Sequence, residues 1–370
     1  MKNILIIHQS LGGGGAERVL VDILNKFDYE KYRVELLIVF NHGCYINQIN
    51  SNVVLNTIYS QGKRSFLKKF LTKIKLSIFF EKKEIHRIIT KHYDTIISFM
   101  EGLPLKYHSL ITHYSTRNIT WIHSDFLVNN WREFYFSGKR DEKKCYEKMD
   151  KIIFVSDKSK QSFEQVFNIS VQKQIIYNII DSERIKKAER KFIPKKNKFT
   201  LCNVGRLCIE KNQQRLIEAA KMLKDSGCVF DLWIVGMGPL EKELKKIVKE
   251  NCLENEIQFL GFQSNPYPYI SNADIFVLSS DTEGYPTVIC EALLLGRPIV
   301  STDVTGCREL LGNSEYGIIT DTSTMSFYNA ILELYKSDKK RIHLQNKAIN
   351  RSLIFSERKT MESIYNLINE

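Results

Sequence analysis

Short apolar segments alternate with longer segments of helical periodicity along nearly the whole chain, and no other feature restricts its fold as strongly. Near-continuous apolar strands joined by helices are typical of parallel sheets that are covered on both faces. The predicted strands are NILIIH (3–8), RVELLIVF (33–40), DTIISF (94–99), NITWIH (118–123), KIIFVS (151–156), KFTLCNVG (198–205), FDLWIVG (230–236), EIQFLG (256–261), ADIFVLS (273–279) and RPIVST (297–302). The predicted helices span 16–26, 64–91, 129–149, 157–167, 211–225, 239–250, 286–295 and 325–336.

The alternation is interrupted by the basic stretch DSERIKKAERKFIPKKNK at 181–198. Its low apolar content predicts an exposed linker over 181–197, between an N-terminal domain at 1–180 and a second domain that begins at 198. The sequence therefore predicts an α/β fold with two parallel-sheet domains. Ligands of such sheets bind outside the carboxyl ends of the strands, so we expect the site in a cleft between the domains.

Composition limits the partners and the compartment. A formal charge of +12 over 370 residues favours an anionic partner: phosphate esters, nucleic acid or an anionic membrane surface. The eight cysteines form no C-x-x-C pair, so we expect no zinc site and a reducing compartment, the cytosol. The apolar start is too short for a signal peptide, and no window approaches the roughly 18 apolar residues of a membrane span, so membrane contact is expected to be peripheral.

Two glutamates eight positions apart, Glu283 and Glu291, lie where the strand IFVLSS gives way to a helix. Pro286 suits the first turn of that helix, and the unpaired N–H groups of Thr287 and Val288 would form an anion site together with the helix dipole. A carboxylate accepts two hydrogen bonds at once, which suits the adjacent hydroxyls of a ribose or hexose. This combination describes a sugar nucleotide; the alternative is that Glu283 caps the helix and Glu291 is solvated.

Two cations occur in NVGRLCIEKN, where a strand ends at Gly205. Arg206 follows at once, and Lys211 lies just before a predicted helix. A guanidinium fork and an ammonium point charge together suit a diphosphate, although both residues could be ordinary surface cations beside a loop.

Two glycine-rich turns follow predicted strands, at Gly12–Gly15 and at Gly236 and Gly238. The first would let a ligand approach the backbone, but it lacks the last glycine of G-x-G-x-x-G. No acidic residue ends the second strand either, so an NAD-dependent dehydrogenase is disfavoured. The second turn would border a nucleotide or would only connect a strand tightly to a helix.

A histidine and an aspartate, His123 and Asp125, follow the strand TWIH. At the carboxyl end of a strand, His123 would face the expected cleft and hydrogen-bond a sugar. The alternative is a packed or surface histidine without a ligand.

Taken in order, NVGRLCIEKN, VGMGPLE, FLGF and ADIFVLSSDTEGYPTVICEALLLGRPIVSTDVTG resemble the retaining glycosyltransferases of family 4. Glu283 and Glu291 match the E-x7-E spacing of that family, and the resemblance covers most of 198–311, with weaker anchors at 3–20 and 118–125. It implies the GT-B fold, in which two Rossmann-like domains face each other across a cleft. It also implies a nucleotide-sugar-binding domain over 198–350 and a final helix within 351–370 that returns to the N-terminal domain.

The resemblance implies a role for each matching residue. Arg206 and Lys211 would neutralise the diphosphate of the donor, and Glu291 would hold the ribose hydroxyls. Glu283 would lie against the donor sugar and β-phosphate, together with the backbone of Gly284, Tyr285, Pro286, Thr287 and Val288. The other implied contacts are Gly205, Gly236 and Phe262 at the nucleotide, and Gly14, Gly15 and His123 at the donor sugar and acceptor.

The implied activity is transfer of a hexose or N-acetylhexosamine from a nucleoside-diphosphate sugar, preferably UDP-linked. The acceptor would be a sugar hydroxyl of a cell-envelope glycan or an undecaprenyl-diphosphate-linked saccharide. Negative charge develops on the departing β-phosphate, and Arg206, Lys211 and a helix N-terminus would stabilise it, so we expect no metal and no other cofactor. The family retains anomeric configuration, by front-face attack, and no protein nucleophile is assigned.

A strongly basic segment spans 63–92, with an apolar stripe of Phe66, Leu67, Phe70, Leu71, Ile74 and Ile78 beside a cationic face. It would bring the enzyme to an anionic membrane surface on the cytoplasmic side. The alternative is that the stripe packs on the N-terminal sheet and the lysines are solvated.

Two other functions remain open. A non-hydrolysing UDP-sugar epimerase shares the fold and would convert the donor without an acceptor. A basic nucleic-acid-binding protein would explain the charge, but the cations concentrate in one helix and the linker, without a known DNA or RNA motif, so we expect no nucleic acid partner.

Overall fold

The computed structural model describes residues 1–59, 77–128 and 130–370. It divides the chain into two units, which are Met1–Ile179 with Arg358–Glu370, and Ile180–Glu357. Each unit contains one parallel sheet with helices, so the predicted α/β fold with two Rossmann-like parallel-sheet domains is confirmed.

The sheet of the first unit has the strand order β3-β2-β1-β4-β5-β6-β7 among the described residues. Its strands are β1 (Lys2–His8), β2 (Tyr32–Phe40), β3 (Val54–Tyr59), β4 (Tyr93–Ser98), β5 (Ser115–Ile122), β6 (Lys151–Phe154) and β7 (Gln172–Ile175). The helices are α1 (Gly15–Lys26), α2 (Ser77–Ile88), α3 (Leu103–His108), α4 (Lys139–Tyr146) and α5 (Asp157–Val166). The central strands are buried on both faces, which is why they consist of continuous apolar residues.

The sheet of the second unit has the order β10-β9-β8-β11-β12-β13. Its strands are β8 (Phe199–Val204), β9 (Phe230–Val235), β10 (Ile257–Gly261), β11 (Ile275–Leu278), β12 (Ile299–Thr302) and β13 (Ile318–Thr320). Its helices are α6 (Ser182–Glu189), α7 (Gln213–Asp225), α8 (Glu241–Glu250), α9 (Tyr267–Asn272), α10 (Thr287–Leu294), α11 (Cys307–Leu311), α12 (Thr324–Lys336) and α13 (Asp338–Ser352). The last helix, α14 (Glu357–Asn369), lies in the first unit from Arg358 onward.

In each sheet the strand order reverses once, between β1 and β4 and between β8 and β11. At such a switch point the connections leave on opposite sides, which opens a crevice outside the carboxyl ends of the two strands. The candidate residues that follow β1, β8 and β11 are therefore placed where open α/β sheets bind ligands.

The segment predicted as a linker, 181–197, begins with a helix and lies within the second unit. Asp181 caps α6 by accepting a hydrogen bond from the Arg184 N–H at 2.9 Å, and Ile185 is buried. The seven basic residues and the low apolar content of 181–197 explain why the sequence analysis did not predict this helix.

The single continuous helix predicted over 129–149 is wrong, although part of the range is helical. A 3-10 turn at Trp131–Tyr135 and the helix α4 replace it, separated by Gly138. Gly138 has φ 141°, which is incompatible with a continuous helix.

The basic segment at 63–92 is only partly described, and 63–76, with Phe66, Leu67, Phe70, Leu71 and Ile74, lies outside the described residues. In the described part, Ile85 and Ile89 are buried in the core with Leu5. The exposed residues there include Lys82, Lys83 and Arg87. Ile85 and Ile89 are not part of the predicted stripe, so both alternatives for the stripe stay predictions. In the ranges that the model describes, no helix combines the length and apolar character that crossing a bilayer requires.

Candidate functional site

The second sheet brings Lys211 and Glu283 together at its switch point, although 72 positions separate them. Lys211 ends the 3-10 turn Ile209–Lys211 after β8, and Glu283 follows β11. The Lys211 Nζ lies 2.5 Å from the Glu283 Oε1, and the Ser280 Oγ donates to the same oxygen at 2.7 Å. Because both side chains are half-buried, this pair places one cation and one acid at the rim of the crevice.

The two loops that carry this pair are fixed to each other by polar contacts. Asn212 has the left-handed φ of 41°, caps α7 by accepting from the Arg215 N–H, and donates to the Asp281 Oδ2 at 2.9 Å. Arg215 donates to the Asp281 Oδ1 at 2.6 Å and to the Ser279 carbonyl at 2.6 Å. The sequence analysis missed Asn212, Arg215 and Asp281. An Asn at a predicted helix start is a typical helix cap, and an Asp lies just after a predicted strand, so these two residues could have been identified.

The glycines at the ends of β8 and β9 are required by the close approach of two backbones. Gly236 has φ 141°, and a Cβ on it would overlap the carbonyl oxygen of Gly205. The Gly205 N–H donates to the Val235 carbonyl at 3.0 Å. Gly236 thus has the structural role considered as its alternative, and the turn also leaves backbone at the edge where a ligand would approach.

Arg206 and Phe262 border the same edge. Arg206 is exposed, and its carbonyl accepts a hydrogen bond from the Gln213 Nε2 at 2.8 Å, which holds the backbone while the guanidinium reaches into solvent. Phe262 is half-buried directly after β10.

The N-terminus of α10 begins after the loop that carries Glu283. Pro286 is its N-cap rather than its first helical residue and makes no side-chain cap hydrogen bond, and the Glu283 carboxylate contacts Lys211 and Ser280 instead. Gly284, Tyr285 and Pro286 are buried, whereas Thr287 and Val288 are half-buried. Glu283 therefore does not cap this helix, and the first N–H groups of α10 are available to an anion.

Glu291 lies in the second turn of α10 and is only 7% exposed, so the alternative of a solvated carboxylate is wrong. The Tyr267 hydroxyl donates to its Oε1 at 3.4 Å. The Arg184 Nη1 in turn donates to the Tyr267 hydroxyl oxygen at 3.0 Å. The sequence analysis missed Tyr267 and Arg184, because residues 184, 267 and 291 are brought together only by the packing of α6, α9 and α10.

In the first unit, His123 lies at the carboxyl edge of the sheet, and its backbone N–H donates to the Glu101 Oε2 at 2.9 Å. Burial, with a smaller contribution from His8, lowers the pKa of His123 to about 3, so the ring is neutral at neutral pH. Burial also lowers the pKa of His8 and raises that of Glu101. The buried Nε2 atoms of His8 and His123 have no hydrogen-bond partner within the described ranges, as expected for groups that meet a ligand.

The glycine turn of the first unit leads from β1 into α1. Gly14 is the N-cap of this helix and Gly15 its first residue. The Glu17 carboxylate lies where a Cβ on Gly14 would stand, so this turn presents backbone and an acid. Asp125, by contrast, accepts from the Leu127 N–H at 2.9 Å and shapes its own loop.

Together the second unit offers cations, helix N–H groups and a buried acid at one sheet edge, which suits a diphosphate attached to a diol. Among the described residues, no three His, Cys, Asp or Glu side chains form a cluster that could hold a metal ion.

Comparison with known proteins gives matches over most of the chain. The family model for glycosyl transferases group 1 matches residues 184–351. An N-acetylgalactosamine-N,N'-diacetylbacillosaminyl-diphospho-undecaprenol 4-alpha-N-acetylgalactosaminyltransferase from Campylobacter jejuni is 31% identical over 96% of this chain and 96% of its own. A UDP-Gal:alpha-D-GlcNAc-diphosphoundecaprenol alpha-1,3-galactosyltransferase from Escherichia coli is 27% identical over 74% of this chain and 72% of its own.

Solved structures with the same fold include HepE from Anabaena in complex with UDP and glucose, with a TM-score of 0.78 and 19% identity over both complete chains. A sucrose-phosphate synthase from Thermosynechococcus elongatus has a TM-score of 0.81 and 15% identity over 100% of this chain and 98% of its own. These glycosyltransferase structures confirm the predicted GT-B fold.

Proposed function

The chain belongs to the group 1 glycosyltransferases, and we propose that it moves a hexose or N-acetylhexosamine from a UDP-linked donor to an undecaprenyl-diphosphate-linked saccharide. The observation that carries the proposal is the Lys211–Glu283 pair at the switch point, beside the free N-terminus of α10. The lipid-linked acceptor and the UDP donor are supported by the names of the relatives from Campylobacter jejuni and Escherichia coli.

In the proposed complex the donor lies along the carboxyl edge of the second sheet. Lys211 and Arg206 neutralise the diphosphate, and the N–H groups of Thr287 and Val288 donate to its oxygens. Glu291 accepts hydrogen bonds from the two ribose hydroxyls. Its burial and its contact with the Tyr267 hydroxyl hold the carboxylate in one orientation for this role.

Sugar transfer proceeds with retention of the anomeric configuration. The bond between C1 of the sugar and the β-phosphate oxygen breaks while the acceptor hydroxyl forms a new C1–O bond on the same face. The hydroxyl proton passes to the departing phosphate, which leaves as UDP. Lys211 and Arg206 stabilise the charge that develops on that phosphate, so the proposed reaction needs no metal.

The first unit supplies the proposed acceptor side. The neutral His123 ring, whose Nε2 has no partner among the described residues, hydrogen-bonds the acceptor sugar, and the Gly14–Gly15 turn presents backbone to it. The enzyme acts at the cytoplasmic face of the membrane, as a peripheral protein.

The test is release of nucleoside diphosphate from a panel of sugar nucleotides, with and without a diphospho-lipid-linked saccharide. The proposal predicts release that depends on both donor and acceptor and persists with EDTA. NMR of the product distinguishes retention from inversion at C1. Conversion of the donor without acceptor would favour the epimerase, and no turnover with any pair would contradict the proposal.

A further inference from the structure

Three large apolar side chains project into solvent from one loop of the first unit. Leu127, Val128 and Phe134 are 57%, 59% and 86% exposed, and we refer to these three residues as the apolar tip. Single exposed apolar residues are common on protein surfaces, but several within one loop form the kind of patch that marks an interaction site.

The base of this loop is held by buried polar contacts. The Arg132 side chain is 1% exposed and its Nε lies 2.9 Å from the Glu142 Oε1, while its guanidinium stacks 3.8 Å from the Phe126 ring centroid. The Leu127 N–H donates to Asp125 as described above. The buried pair of Arg132 with Glu142 therefore ties the base of the loop to α4.

The tip stands at the same edge of the sheet as His123. The Tyr135 hydroxyl accepts a hydrogen bond from the Gln9 Nε2, directly after β1, at 3.3 Å. A Cβ on Gly102, just before α3, would lie 2.9 Å from the Trp131 ring. The 3-10 turn Trp131–Tyr135 therefore covers the carboxyl ends of β1 and β4, where the acceptor is proposed to bind.

The helices α2 and α4, which both contact α3, carry exposed cations. The helix α3 contacts α2, α4 and the Trp131–Tyr135 turn, and Lys106 of α3 pairs with Glu81 of α2 at 3.2 Å. The exposed cations on the two flanking helices are Lys82, Lys83 and Arg87 on α2, and Lys139, Arg140 and Lys144 on α4. Apolar and aromatic residues framed by Lys and Arg are typical of surfaces that lie in the headgroup layer of an anionic bilayer.

We propose that the apolar tip inserts into an anionic phospholipid bilayer while the cations of α2 and α4 contact the lipid phosphates. The surface needs none of residues 60–76. The membrane surface rests on the proposed function in one respect. It would hold the acceptor-binding edge at the membrane, where a lipid-linked saccharide resides.

The experiment is flotation of the full chain with neutral phosphatidylcholine vesicles and with vesicles containing phosphatidylglycerol. The test variant carries Leu127→Ser, Val128→Ser and Phe134→Ser, which should leave the core intact because all three side chains are exposed. The matched control carries Ile193→Ser, Val229→Ser and Leu353→Ser, at positions that are 84%, 63% and 80% exposed in the second unit. We expect the wild type and the control to float with anionic vesicles and the test variant to bind at least about tenfold more weakly.

A second variant, Lys139→Gln with Arg140→Gln and Lys144→Gln, should lose the preference for anionic over neutral vesicles. Equal binding of the test variant and the wild type, or no flotation of any protein, would overturn the proposal. So would a tip variant that changes the oligomeric state measured by light scattering, because the tip would then contact a second copy.

The proposed function is measured separately, as sugar transfer to a short-chain acceptor in detergent. A variant with only Leu127→Ser and Val128→Ser, which leaves the Trp131–Tyr135 turn unchanged, should retain wild-type transfer there. If neither the wild type nor the variants transfer sugar but flotation still depends on the tip, the proposed function would be refuted. The proposal that the tip binds the membrane would not be affected.

Discussion

Replacing Glu283 by Gln should separate nucleotide binding from sugar transfer. In the structure the Lys211 ammonium is already neutralised by Glu283 at 2.5 Å, so an arriving diphosphate must compete with that carboxylate. Gln retains the size of the side chain and an oxygen for the Ser280 hydroxyl, but it releases the lysine. We expect Glu283→Gln to bind UDP more tightly than the wild type and to transfer sugar more slowly.

The magnitudes follow from the exposure of the pair. The two side chains are 22% and 10% exposed, so we take the upper end of the range for exposed pairs, about 1 kcal/mol. The diphosphate recovers this amount in the variant, which corresponds to about 5-fold in Kd. The carboxylate is proposed to contact the donor sugar, and losing one charge-assisted hydrogen bond in the transition state costs about 1.5–3 kcal/mol, or about 10- to 150-fold in kcat.

Isothermal titration with UDP gives the affinity, and nucleoside diphosphate release at saturating donor gives kcat. Glu241→Gln is the control, because Glu241 also pairs with a lysine, Lys245 at 2.6 Å, on the helix α8. This control should leave both quantities unchanged. Weaker UDP binding by Glu283→Gln, or an unchanged kcat, would refute the reasoning, since Glu283 would then position Lys211 for the phosphate rather than compete with it.

Three further predictions test other parts of the structure. Glu291→Ala should lower kcat/KM for the donor by about 100-fold and the free energy of unfolding by only about 1 kcal/mol, and near-normal turnover at low donor would contradict the ribose role. Gly236→Ala should lower the free energy of unfolding in urea by about 2–4 kcal/mol, whereas Gly227→Ala, which also has positive φ but open space around it, should lower it by about 1 kcal/mol. Burial lowers the pKa of His108 to about 4 and that of His123 to about 3, both below the unfolded value of 6.5, so their stabilising contribution is complete above pH 6.5 and is lost as the pH falls. Each should remove about 0.7 kcal/mol per pH unit at pH 6.5 and approach about 1.4 kcal/mol per unit about one unit lower, which amounts to about 1.2 kcal/mol per histidine between pH 7 and pH 5.5. Urea unfolding near both pH values would measure the difference, and equal stability at both would contradict the prediction.

The strands that the sequence predicted and those that it missed differ in their place in the sheet. Continuous apolar segments predicted all the inner strands, because a strand covered on both faces needs apolar residues at every position. The missed strands β3 (VLNTIY), β7 (QKQI) and β13 (IIT) all lie at sheet edges. An edge strand is held by hydrogen bonds to one neighbour and is only partly covered, so it does not need a long continuous apolar segment.

The candidate site shows the same division. Glu283, Glu291, Arg206 and Lys211 could be identified from the order and spacing of short motifs, since each lies directly beside a predicted strand end or in the helix that follows. That Lys211 contacts Glu283, and that Tyr267 contacts Glu291, depends on which strands and helices are neighbours in space. Spacing along the chain does not contain that information.

By itself, the sequence therefore determined the fold class, the family and the chemical types of the candidate residues, because local periodicity and motif order are properties of the chain. The tertiary structure alone decided the strand order, the pairing of Lys211 with Glu283, the burial of Glu291 and the exposure of the apolar tip. The physical reason is that burial and pairing are properties of surfaces brought together by folding, and residues distant in sequence acquire them only when β8 and β11, or α9 and α10, pack side by side.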